Sequence, residues 1–144
     1  MTGPGPGPEQ IRLGPRQTLT VLSSTPEQLL LECTWQPGDP PPTHWHPSQH
    51  EHFVVLDGEL TVVVSGDERV LRVGDALDVP PVTAHHMWNA GPAPCRASWT
   101  ITPAQRTEEL FRTMAQGPGL VSKASMVWRF RHELRLGSPA DDPS

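Results

Sequence analysis

Between His44 and His52 the sequence reads HWHPSQHEH, which puts four of the chain's seven histidines and Glu51 into nine residues. Imidazole nitrogens and carboxylate oxygens are the donors that transition-metal sites use. His44 and His46 stand two apart, so on an extended strand both face the same way and can reach one ion. Trp45 between them faces the other way. His85, in PPVTAHHMWN, offers a third imidazole from far along the chain. Three histidines and Glu51 make a ligand set for a divalent metal that leaves positions open for a substrate. The excess of nitrogen donors favours zinc, with iron, manganese, nickel and copper as alternatives. The competing reading is a polar, histidine-rich loop that holds no ion.

Such a constellation needs a rigid frame, and the chain from about 17 to 101 supplies short apolar or alternating runs broken by turn residues. Thr18–Leu22, Leu29–Gln36, Glu51–Leu56, Glu59–Val64, Arg69–Val73, Ala76–Val79, Thr83–Asn89 and Arg96–Ile101 read as strands. Asp57-Gly58 has the hairpin signature. Many short strands at this spacing predict an all-β sandwich or barrel. After Pro103 the period changes, and 104–116 reads as a helix with Leu110, Phe111 and Met114 on one face. Residues 124–136 fit either a helix or an alternating strand, and their Arg/Glu/Leu content favours helix. The expected layout is a Gly/Pro-rich mobile arm at 1–10, a barrel over 11–103, a helical segment over 104–136 and a polar tail at 137–144.

Two stretches resemble the motifs of the cupin superfamily. GDPPPTHWHPSQHEHFVVLDG, Gly38 to Gly58, has the first motif's Gly, His-x-His, Glu and Gly at the family spacing. GDALDVPPVTAHHMWN, Gly74 to Asn89, is similar to the second, except that Val82 stands where a glycine is usual. The resemblance implies an antiparallel cupin β-barrel, or double-stranded β-helix, with short C-terminal helices and a metal at its inner wall. Carried over residue by residue, it makes His44, His46, Glu51 and His85 the ligands. His50 and His52 flank Glu51 and point to the opposite face of an ideal strand. A bulge after Pro47 would bring one of them to the ion instead, His50 first, because some cupins have three residues rather than four before this ligand. The resemblance also implies a homodimer, and strand parity puts Trp45 and Trp88 on an apolar outer face suited to pairing.

Strand parity sorts the remaining candidates. If Glu51 faces inward, so do Phe53 and Val55; if His85 does, so do Met87 and Asn89. These four would line a mostly apolar pocket, suited to a hydrophobic small molecule. His86 then faces outward. Asp78 interrupts an apolar strand; it is either an outward, paired residue or a general acid/base beside the metal. Arg96, Ser98 and Thr100 form a polar face that lines the cavity or meets solvent. Arg129, Arg131 and Arg135 read as a solvated face. Cys33 and Cys95, far apart in sequence, read as buried thiols.

The net charge of −5 argues against nucleic acid as a partner, and no apolar run approaches a membrane span. The N-terminus lacks the pattern of a secretory signal, so a cytoplasmic location is expected. Three functions compete: Lewis-acid catalysis of isomerisation or ring closure, oxygen activation by a dioxygenase, and binding without turnover. A weaker resemblance, to cupin-type aromatic polyketide cyclases of actinobacteria, favours the first. It implies an aldol-type closure of a poly-β-ketone chain in antibiotic biosynthesis.

Overall fold

Residues 9–117 and 122–141 are described by a computed structural model. The strands are β1 (Gln10–Gly14), β2 (Gln17–Ser24), β3 (Leu29–Trp35), β4 (His44–Trp45), β5 (His50–Asp57) and β6 (Leu60–Val64). They continue as β7 (Asp67–Leu71), β8 (Ala76–Val79), β9 (His85–Trp88) and β10 (Cys95–Thr102). Helices α1 (Thr107–Ala115) and α2 (Lys123–Arg129) follow, then β11 (Arg135–Leu136) and a 3-10 turn, Pro139–Asp141. One sheet has the order β1-β2-β3-β10-β5-β8 and the other β11-β4-β9-β6-β7. Every strand pair in both is antiparallel.

Period-two alternation builds the core. Leu29, Leu31, Cys33 and Trp35 of β3 point inward, as do Glu51, Phe53 and Val55 of β5 and Cys95, Ala97, Trp99 and Ile101 of β10. Each fully buried Leu, Val or Phe contributes roughly 1.5–3 kcal/mol. The same alternation turns Arg96, Ser98 and Thr100 outward, where Arg96 meets Glu32 at 2.9 Å. Both cysteines are buried and unbridged, as expected. At the Asp57-Gly58 hairpin, Gly58 has φ +74°, and a Cβ there would stand 2.5 Å from the Pro94 carbonyl oxygen.

The structure redraws the ends of the barrel. Strands begin at Gln10, inside the expected arm; residues 1–8 of that arm lie outside the described residues. The segment 124–136 resolves its own ambiguity by being both, a short helix followed by a turn and a two-residue strand. Its arginines are not simply solvated. Arg131 lies over Trp128 (4.1 Å), Arg129 over Phe130 (5.0 Å) and Arg135 over Trp45 (5.9 Å). Trp45 is thereby covered from within the chain and is nearly buried. Of the expected tail, 137–141 is described and holds the 3-10 turn, while 142–144 lie outside the described residues.

Val82, where the motif has glycine, has φ +59°. Left-handed backbone is costly for an L-residue and worst for a β-branched one. The loop is held there by the Val82 N–H, which donates to the His46 carbonyl at 2.8 Å. The side chain is 53% exposed, so little packing compensates the strain. Val82→Gly should therefore raise stability by about 0.5–1 kcal/mol, the relief of strain less glycine's extra unfolded-state entropy. A denaturant midpoint equal to or below that of the parent protein would refute this.

Candidate metal centre

His44 sits on β4, His46 just beyond it, and His85 opens β9, directly opposite His44 in the sheet. One nitrogen from each of the three lies within 4.8 Å of the others, and the ring centroids are 4.4–5.2 Å apart. Glu51 comes from β5 in the facing sheet and is 1% exposed. Its Oε1 is 2.9 Å from His46 Nε2 and 2.8 Å from His85 Nε2. Its Oε2 accepts a hydrogen bond from Trp99 Nε1 at 2.7 Å.

The far side of each ring decides what the near side can do. His46 Nδ1 is 2.7 Å from the Glu133 carbonyl oxygen and His85 Nδ1 is 2.8 Å from that of Thr83. His44 Nδ1 faces the Pro42 carbonyl at a longer 3.5 Å. A carbonyl can only accept, so Nδ1 carries the proton and the Nε2 lone pair is left toward the shared centre. His46 Nε2 and Glu51 Oε1 are buried there with no hydrogen-bond partner of suitable geometry. Lone pairs converging here with nothing positive between them are expensive to bury, and a cation resolves them, whether a proton taken up by His46 or a metal ion. The residues fit a divalent metal held by His44, His46, His85 and Glu51.

Charge follows the same geometry. Burial pushes Glu51 toward the neutral acid, but His46 and His85 outweigh it and hold the carboxyl below its usual range. Burial also opposes protonation of His46, and the Glu51 carboxylate reverses that, raising it above its ordinary value. Burial, with His85 and His46 alongside, drives His44 down to about 3. His44 is thus a neutral imidazole, the form that binds metal.

A cavity of about 370 Å³ opens beside these residues. Phe53, Trp99 and Phe111 form an aromatic wall, with Phe53 stacked on Trp99 at 5.2 Å and Trp99 tilted against Phe111 at 5.3 Å. Met87 and Ile101 add to it from the barrel, and Leu110, Met114, Met126 and Leu134 from the C-terminal segment. Gln49, at the entry to β5, donates to the Pro103 and Ala104 carbonyls and to Thr107 Oγ1 at 2.7–2.9 Å, which ties that segment to the barrel.

Several candidates fall elsewhere. Asp78 lies on the outer face of β8, 3.2 Å from His50 Nε2 and 2.8 Å from His52 Nδ1. It has no access to the cavity, so a role for it as acid/base at the metal does not fit. The two histidines share that outer face because β5 keeps strict alternation, and no bulge turns His50 inward. Val55 belongs to the core and Asn89 to a loop anchor: its amide donates to the Trp35 and Ala93 carbonyls and accepts from Gly91 N–H. Neither lines the cavity. Trp99 was legible by parity, since it alternates with the outward Arg96, Ser98 and Thr100. Glu133 acts through its carbonyl, and no sequence pattern marks that.

Two facing antiparallel sheets carry a three-histidine, one-carboxylate cluster on the inner wall, the arrangement that the two cupin-like motifs imply. Residues 31–101 match the cupin domain family (Cupin_2), and this part of the chain is a cupin domain. The fold is similar to that of an RmlC-like cupin from Shewanella frigidimarina, at a TM-score of 0.65 and 24% identity over 74% of this chain and 93% of that one. In sequence, 74 residues are 32% identical to the tetracenomycin polyketide synthase protein TcmJ of Streptomyces glaucescens, 51% of this chain and 50% of that protein. A 49-residue stretch is 51% identical to the probable oxidoreductase yanE of Aspergillus niger, 33% of this chain and 19% of that protein. Another, of 48 residues, is 40% identical to quercetin 2,3-dioxygenase of Bacillus subtilis, 33% of this chain and 14% of that enzyme. The chain spans half or less of the length of these curated relatives. No helix among the described residues is long and apolar enough to cross a membrane.

The geometry separates Glu51 from its neighbours. Glu51→Gln should lower metal content after dialysis markedly, because it removes an anionic donor from the centre. His50→Ala and His52→Ala should keep full metal content, losing only exposed contacts worth within about 0.5 kcal/mol. Metal analysis showing the reverse pattern would sink this ligand assignment.

Proposed function

We propose that the protein is a metal-dependent enzyme that closes a ring in a hydrophobic poly-β-ketone chain by an aldol-type condensation with loss of water, in aromatic polyketide and antibiotic biosynthesis. The observation that carries the reading is the aromatic wall of Phe53, Trp99 and Phe111 set beside the His44–His46–His85–Glu51 cluster. Such a wall binds a flat, conjugated molecule by stacking and by burial of apolar surface. The segment shared with TcmJ supports the same substrate class. A divalent metal, zinc by preference, would act here as a Lewis acid toward a substrate carbonyl.

The chain's own residues bind, orient and dry the substrate. Met87, Ile101, Leu110 and Met114 exclude water from the folded chain. Glu51, held ionised, is a weak base, so orientation and polarisation rather than strong base would drive closure. Proton uptake at Asp78 plays no part in this scheme. The partners proposed are this hydrophobic substrate and a second copy of the chain, with neither nucleic acid nor a membrane, in the cytoplasm.

A second reading, a dioxygenase at the same ligands, draws on the segment shared with quercetin 2,3-dioxygenase. Binding without turnover is the third. The test is to load the protein separately with zinc and with iron(II) and supply a synthetic aryl 1,3,5-triketone, once under argon and once in air. Zinc-dependent formation of a cyclised product that has lost one water supports ring closure. Product formed only with iron and oxygen supports the dioxygenase, and tight binding with no product supports the third reading.

A further inference from the structure

The cupin domain match ends at residue 101, but the metal centre does not end there. His85 orients itself on the carbonyl of Thr83, two residues away, and His44 faces that of Pro42. His46 instead depends on the carbonyl of Glu133, 87 positions further along the chain. From this we infer that Arg106 and Glu133 are positioning residues for the metal centre, acting through the Glu133 carbonyl on the ring of His46. The inference rests on the reading of the histidine cluster as a metal site.

Glu133 lies in the turn after α2, which closes on itself through Glu133 N–H and Leu134 N–H, both donating to the Phe130 carbonyl at 2.9 Å. A turn of this kind frays unless something holds it to the barrel. Arg106, the residue before α1, grips it at three points. Its Nε donates to the Glu133 carboxylate at 3.1 Å, its Nη2 donates to the Arg129 carbonyl, and its guanidinium lies 5.0 Å from the centre of the Phe130 ring. Phe130 is fully buried and the Glu133 side chain is 2% exposed, so the clip is anchored on the core side. The next strand continues the attachment. β11 pairs with β4, Leu136 opposite His44 and Arg135 opposite Trp45, and Gly137 N–H donates to the Thr43 carbonyl at 2.8 Å. Removing Arg106 frees the turn, blurs the position of the Glu133 carbonyl and lets the His46 ring rotate or change tautomer. Partners of this kind, one step behind a ligand, typically change metal affinity about 10–100-fold.

A clip that served stability alone would leave the site's metal properties unchanged, and cobalt(II) distinguishes the two. Cobalt(II) binding and its visible d–d absorption would be measured on the full chain for the parent protein, Arg106→Ala, Arg106→Lys, Glu133→Gln and, as an outer-face control, Arg96→Ala. Arg106→Ala should weaken cobalt binding about tenfold or more and shift the absorption bands. Arg106→Lys should recover most of both, and Arg96→Ala should match the parent. If Arg106→Ala fails to fold by circular dichroism, Glu133→Gln, which keeps the buried shape, carries the test with the same expectation. Parent-like affinity or a parent-like spectrum in a folded variant overturns the inference while leaving the metal reading intact. A parent protein that binds no cobalt or zinc overturns both.

Discussion

A carboxylate sealed inside a protein has to be matched by positive charge or by donors, and Glu51 imposes that demand on the whole molecule. Its charge would not survive burial alone. It is kept by imidazoles that reach it from the opposite sheet and by the Trp99 indole from the neighbouring strand. The two sheets are therefore joined at this point by polar contacts as well as by apolar packing. The imidazoles in turn must present Nε2, which obliges backbone carbonyls to stand behind them. From one buried carboxylate the requirement passes outward through the rings to Thr83 and Glu133.

That outward passage explains why the segment after residue 101 is built as it is. α1 is fixed to the barrel by Gln49 at one side and at the other by Arg112, which meets Glu9 at 2.7 Å and, within the helix, Glu108 at 2.8 Å. Those surface ion pairs contribute little each. The Gln49 contacts are buried and hold more firmly. α2 and its turn are secured by Phe130 and the arginines around it. The barrel supplies the donors and the C-terminal segment fixes one of them.

The legible part of the sequence was whatever depends on period or spacing. Alternation in Leu29–Trp35, Glu51–Val55 and Cys95–Ile101 named the inward residues, and His-x-His with Glu five further on named the cluster the structure brings together. Parity also kept His50 and His52 outside. It misled at Val55 and Asn89, because facing inward is not the same as facing the cavity; one end of the barrel is filled by side chains. Asp78 looked anomalous in an apolar strand only because its histidine partners sit on another strand. β1 was hidden by its short, polar sequence and its place beside the Gly/Pro run. The split of 124–136 into helix and strand is set by pairing with β4, a contact no local pattern announces.

The cavity has two owners. Its floor, with the histidines, Glu51, Phe53 and Trp99, belongs to strands whose geometry the buried charge dictates. Its roof, with Leu110, Met114, Met126, Val127 and Leu134, belongs to the C-terminal segment, outside the strands that carry the donors. Substitutions in the roof reshape the space above the histidine cluster without touching its side chains, provided the clip on Glu133 survives. The molecule thus places its candidate ligands and most of the surface above them in different parts of the fold. Descent from a common barrel could retune the second many times while the first stayed still.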